Sequence, residues 1–266
     1  QVKRIIRISP VLSPNSWAKR LPMVDSAHLW LEPAYEAIGS VLAQMRPDAV
    51  LVSMSPFDLS FLAMRLKHEH GLPIVLDLRD PWALDGWRLY GTKRRWKRDF
   101  ALMAEALKSA DGVIANTPRA RSAILKAIPG TRADSIYVIP NGYAEEDFLQ
   151  SSLPVSDIKS LDGCFCLVHT GTLHGAALDM YKGFSGWIKR RRHYRSEPIM
   201  PSGRTVLHLL QALQILKEQN CTLLQRFRLV LIGQLDSHTR RMCTESSTHD
   251  LIHIIDYLPH AESIAW

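Results

Sequence analysis

The chain has 266 residues, 46% apolar and 22% charged, with a formal net charge of +7 and a pI near 9.3. That length is enough for two domains of ordinary size, and the apolar share supports real cores. No apolar stretch reaches membrane-spanning length, the apolar part of Gln1–Arg7 is too short for a signal peptide, and the positive excess suits nucleotide phosphates, phospholipid surfaces or nucleic acid without choosing among them.

In chain order, the first half offers strands at Ala49–Met54, Pro73–Leu78, Gly112–Asn116 and Ile136–Ile139. Helical patterns lie between them near Phe57–His70, Arg94–Ser109 and Pro118–Ala127, punctuated by Pro47, Gly71-Leu72-Pro73 and Pro129-Gly130. The second half repeats the theme, with strands at Gly163–His169, Phe227–Ile232 and Leu251–Ile255 and helices at Gly203–Gln219 and Ser237–Ser247. Strands alternating with helices argue for α/β with parallel layers. The polar, turn-rich run Gly142–Leu161, with Pro154 inside it, is read as a domain linker. The expected architecture is two Rossmann-like domains facing a cleft, residues 1–150 and residues 151–266. Gln1 is not an initiator Met, and three strands leave the second sheet open, so the chain is expected to be a fragment.

The most informative segment is His169-Thr170-Gly171-Thr172-Leu173, which closes a buried-strand pattern. A Gly-Thr turn at a strand's C-terminal end lets backbone N–H groups approach an anion, and open α/β sheets bind ligands at that edge. A plain strand-to-helix turn reads equally well from those residues alone. The stretch Gly175–Ser202 holds Trp187-Ile188-Lys189-Arg190-Arg191-Arg192-His193-Tyr194-Arg195 and is read as a basic, solvated loop that projects from its domain. Lipid headgroup or nucleic-acid contact is its other reading. The four cysteines form no C-x-x-C pair, so a reducing compartment and no zinc site are inferred; the eleven histidines are read as solvent-facing.

Five segments in order bear a wider likeness: Leu76-Asp77-Leu78-Arg79-Asp80-Pro81-Trp82; Ala110–Thr117; Val138–Tyr143 with Asp147-Phe148; His169–Leu173; and Tyr257-Leu258-Pro259-His260. With them the chain resembles the GT-B glycosyltransferases, in particular the family 4 group. The resemblance implies transfer of a sugar from a nucleotide sugar to a glycan or lipid-linked acceptor of the cell envelope, with retention, at the cytoplasmic membrane face and without a metal or other cofactor. An acceptor-side domain would then be followed by a donor domain, with residues 175–202 inserted in the donor loop. It places donor contacts at Gly171, Thr172, Arg204, Asn141 and Gly142, and further cleft contacts at Asn116 and Thr117. Asp77, Arg79 and Asp80 either touch sugar and acceptor or form an ion pair pinning the Pro81-Trp82 loop. Thr117 also suits a helix cap before Pro118. The family's amino-terminal glycine loop and paired glutamates are not found, so residues 1–266 alone are expected to turn over poorly. The competing readings are a nucleotide-sugar epimerase of the same architecture and a basic nucleic-acid- or anion-binding module.

Overall fold

A computed structural model describes residues 5–8, 28–149, 161, 163–178 and 193–266. The chain divides into two units: 1–141 with 193–198, and 142–192 with 199–266. Most of the expected linker, together with Lys189–Arg192 of the basic run, lies outside the described residues.

In the first unit, α1 (His28–Leu42) precedes four parallel strands in the order β1 (Val50–Met54), β2 (Ile74–Leu78), β3 (Gly112–Ala115), β4 (Ile136–Val138). The crossovers are α2 (Leu59–His70), α3 (Lys93–Ser109) and α4 (Pro118–Ala127). Each connection steps the same way across the sheet, and right-handed crossovers then stack their helices on one face. The core lies there: Met54, Leu76, Leu78, Val113 and Ala115 pack with Leu66, Met103, Leu107 and Ile124, all nearly inaccessible. Register puts Leu51, Val75, Asp77, Ile114 and Tyr137 on the opposite face, where Leu51 is 64% and Tyr137 56% exposed. Helix α1 has no counterpart among the sequence expectations.

Two local devices fix the strand starts and helix starts. Asp111, one residue before β3, takes the Ile74 N–H (2.8 Å) and the Lys67 ammonium (2.7 Å) on the same oxygen, locking β2 to the end of α2. Thr117 accepts the Ala120 N–H (3.1 Å) with Pro118 at the first helical position, so the cap reading is realised.

The second unit opens with α5 (Glu145–Leu149) and holds the parallel strands β5 (Phe165–Thr170), β6 (Phe227–Ile232) and β7 (Ile252–Ile255), followed by α8 (His260–Ala265). Strand β6 is central, and Leu229–Ile232 are shielded on both faces. On one face Leu229 and Leu231 meet Leu210 and Leu213 of α6 (Leu207–Glu218) and Cys243 of α7 (Ser237–Thr244). On the other, Val230 and Ile232 meet Leu161, Cys166, Leu258 and Trp266. Burial pushes the Cys243 thiol up to about 11, so it acts as a small apolar filler.

The expectation of a projecting loop over Gly175–Ser202 needs correction at its far end. Residues 193–198 belong to the first unit. Tyr194 pairs with Tyr90 backbone to backbone (2.8 and 2.9 Å), its ring lies 5.0 Å from that of Trp96, and the Arg195 guanidinium donates to the carbonyls of Gly86 and Trp87. The aromatic and basic residues read as solvated there are structural anchors.

Candidate functional site

Strand β5 ends at Thr170, and the chain turns at Gly171, whose φ of +133° is a conformation that favours glycine. The turn is braced from behind. Its N–H donates to Ile232, and a Cβ placed on Gly233 would sit 2.5 Å from the Gly171 carbonyl oxygen. The ends of β5 and β6 therefore touch through two glycines, and Thr172 is held facing outward and exposed.

Beyond the turn, His174 N–H donates to the Arg204 carbonyl (2.9 Å). This bond closes the neck of the 175–202 excursion. Arg204 ends the 3-10 turn Pro201–Arg204, just before α6, and is exposed. The near end of the excursion is tied to α7: Gly175 N–H donates to Thr239 Oγ1 and Ala176 N–H to Asp236. The Asp236 carboxyl sits below its ordinary range; burial works against its charge, and the N–H groups of Ala176 and Thr239 outweigh that. The excursion thus leaves Arg204 beside the turn, where the sequence suggested it.

The result is a cavity of about 590 Å³ at the carboxyl end of β5, lined by His169, Thr172, His174, Arg204 and His208 among others. Its volume is in the range of small-molecule sites. Among the described residues no carboxylate lines it. His169 Nε2, beside Gly171, is closed off from solvent and has no hydrogen-bond partner among the described residues. Of the donor contacts expected from sequence, Thr172 and Arg204 share this cavity and Gly171 forms its turn. Asn141 and Gly142 are exposed and straddle the unit boundary. Sequence reasoning missed the three imidazoles. The signals were present: His169 and His174 flank the turn, and Arg204 and His208 are four apart at a helix start.

In the first unit, Asp77, Arg79, Asp80, Asn116 and Thr117 gather at the carboxyl ends of β2 and β3. Arg79 and Asp80 are exposed. The ion-pair reading is corrected: among the described residues no ion pair joins Asp77, Arg79 and Asp80. The loop is pinned otherwise. Asn116 Nδ2 donates to the Arg79 carbonyl (2.6 Å), and Trp82, fully buried with φ of +48°, stacks on Phe57 and donates Nε1 to Asp99 (3.0 Å). A bulky side chain at positive φ is strained and needs such support. Asp99 also receives the Tyr90 hydroxyl and pairs with Arg88; burial first, then Asp99, raises the Tyr90 phenol.

Two parallel-sheet units, one with a cavity at its strand ends, make an α/β protein of the GT-B kind. The chain belongs to Glycosyltransferase Family 4, whose model matches residues 12–147. No curated protein sequence matches the chain. Among solved structures it is similar to HepE of Anabaena, crystallised with UDP, at 15% identity over 94% of this chain and 55% of that one, TM-score 0.52. It is similar to an α,α-trehalose 6-phosphate synthase of Burkholderia multivorans at 17% identity over 93% and 55%, TM-score 0.52. A sucrose-phosphate synthase of Thermosynechococcus elongatus matches at 14% identity over 90% and 52%, TM-score 0.51. At such identities the likeness is one of fold, and the chain spans about half the length of these structures.

Proposed function

We propose that this chain carries the nucleotide-sugar site of a glycosyltransferase that moves a hexosyl group to a glycan or lipid-linked acceptor, with retention at the anomeric carbon and without a bound metal. One observation carries the reading: Thr172 and Arg204, far apart in sequence, line one cavity at the carboxyl end of a parallel strand. Family membership supports the reaction class.

As the bond from the anomeric carbon to the diphosphate breaks, negative charge develops on the departing oxygen. The Thr172 backbone N–H and the guanidinium of Arg204 are donors for that charge, while Gly171, whose own N–H is engaged by the Ile232 carbonyl, shapes the turn. Asp77, Arg79 and Asp80 serve the acceptor or the sugar, with Asn116 and Thr117 beside them; Asn141 and Gly142 complete the donor contacts. The work is placed at the cytoplasmic side of the cell envelope, with contact at a membrane surface driven by the net positive charge. Calorimetric titration with UDP-glucose, ADP-glucose and GDP-mannose tests the site. Micromolar to millimolar binding of at least one, abolished or strongly weakened in Arg204→Ala, is expected; equal weakening by Arg132→Ala, on the surface of the other unit, would reduce the site to net charge.

A further inference from the structure

The cavity holds more basic capacity than a phosphate turn requires. His169 comes from β5, His174 from the segment behind the turn, Arg204 from the 3-10 turn, and His208 from the first turn of α6. Among the described residues no carboxylate is in the lining. The Asp236 carboxylate, which approaches the same segment at Ala176, is occupied by the N–H groups of Ala176 and Thr239. His208 Nδ1 lies 3.2 Å from the neutral Gln211 amide oxygen. His174 and His208 are exposed, whereas His169 Nε2 is closed off beside Gly171.

Imidazoles as a class change charge between about pH 5 and 8. An anion placed among them favours their charged form. We propose that diphosphate binding in this cavity is coupled to proton uptake by His174 and His208, so that the site grips its anionic ligand more tightly as pH falls. The inference rests on the reading of the cavity as the donor site and adds its regulation: the ligand state that binds best is a fully ionised diphosphate ester meeting protonated imidazoles. His169 joins only if its ring turns or the Gly171 turn shifts, so the test rests on the two exposed rings.

The probe is UDP-glucose, or whichever diphosphate diester binds in the panel above. A diester has no phosphate group that titrates near neutrality, unlike free UDP, whose terminal phosphate does so near pH 6. Calorimetry at pH 7 in buffers of different ionisation enthalpy counts protons directly. Uptake of a substantial fraction of a proton is expected, with affinity rising roughly three- to thirtyfold from pH 8.5 to pH 6. In His174→Gln with His208→Gln the uptake and the rise should both disappear, and the single variants should each remove part. If the wild-type chain binds without proton uptake, or the double variant keeps it, the proposal is overturned while the donor-site reading stands. Binding that Arg204→Ala does not weaken, or no binding of any diester at any pH, overturns the reading and the proposal together. Circular dichroism of each variant excludes loss of fold as the cause.

Discussion

Arg204 is where the residue scale matters most. Its backbone is tied to the turn through the His174 N–H bond to its carbonyl. Losing one charged hydrogen-bond donor costs about 1.5–3 kcal/mol, so Arg204→Ala should weaken diphosphate-sugar binding roughly ten- to a hundredfold. Asp99 has a structural task. Asp99→Ala leaves the buried Trp82 N–H and the Tyr90 hydroxyl without their acceptor and should lower unfolding free energy by about 2–4 kcal/mol in denaturant titration. Asp111 links stability to pH. Its carboxyl is lowered, first by the Lys67 ammonium and also by the Ile74 N–H, with burial opposing. A carboxylate with a depressed folded value stabilises fully above its unfolded value of about 3.9, and that share is lost as pH falls through the folded value. The pair is partly exposed, so Asp111→Ala should cost about 1 kcal/mol at neutral pH and progressively less as pH falls below the unfolded value. A stability difference that does not shrink in acid would refute this linkage.

At the scale of elements, short apolar runs alternating with helical periods placed β1 to β7 along the chain within a residue or two at most ends, because these strands carry apolar residues on both faces even where one face is exposed. Helix α1 escaped notice: it carries Pro33 inside it, which reads as a break in a helical pattern. Thr117→Ala should cost about 1 kcal/mol through loss of the α4 cap, measurable by chemical denaturation. The far end of the 175–202 excursion, residues 193–198, was misjudged because its anchors act at long range. Arg195 reaches carbonyls more than a hundred positions earlier in the chain, at Gly86 and Trp87, and no local pattern announces such a bond. Arg195→Ala should therefore destabilise the first unit by about 1–3 kcal/mol, and an unchanged melting temperature would restore the solvated-loop reading.

For the whole molecule, the apolar clusters of the described residues divide by unit: one in the first, two in the second. Independent cores unfold as separate cooperative steps, so calorimetry should give a calorimetric enthalpy larger than the van't Hoff value; a ratio of one would mean a single cooperative block. The sequence by itself determined the α/β class, the parallel strand order and the Gly-Thr turn, since these follow from local periodicity and from backbone chemistry at single residues. The Thr117 cap was legible in the same way, whereas Asp111 acts on Lys67 and Ile74, which local pattern does not link to it. Only the tertiary structure decided that no ion pair joins Asp77, Arg79 and Asp80, that Trp82 and Asn116 hold that loop instead, and that three imidazoles gather around Arg204. Those outcomes depend on which residues distant in sequence meet at the strand ends. That meeting is set by packing and by hydrogen bonds closed across the fold, and periodicity carries no record of it.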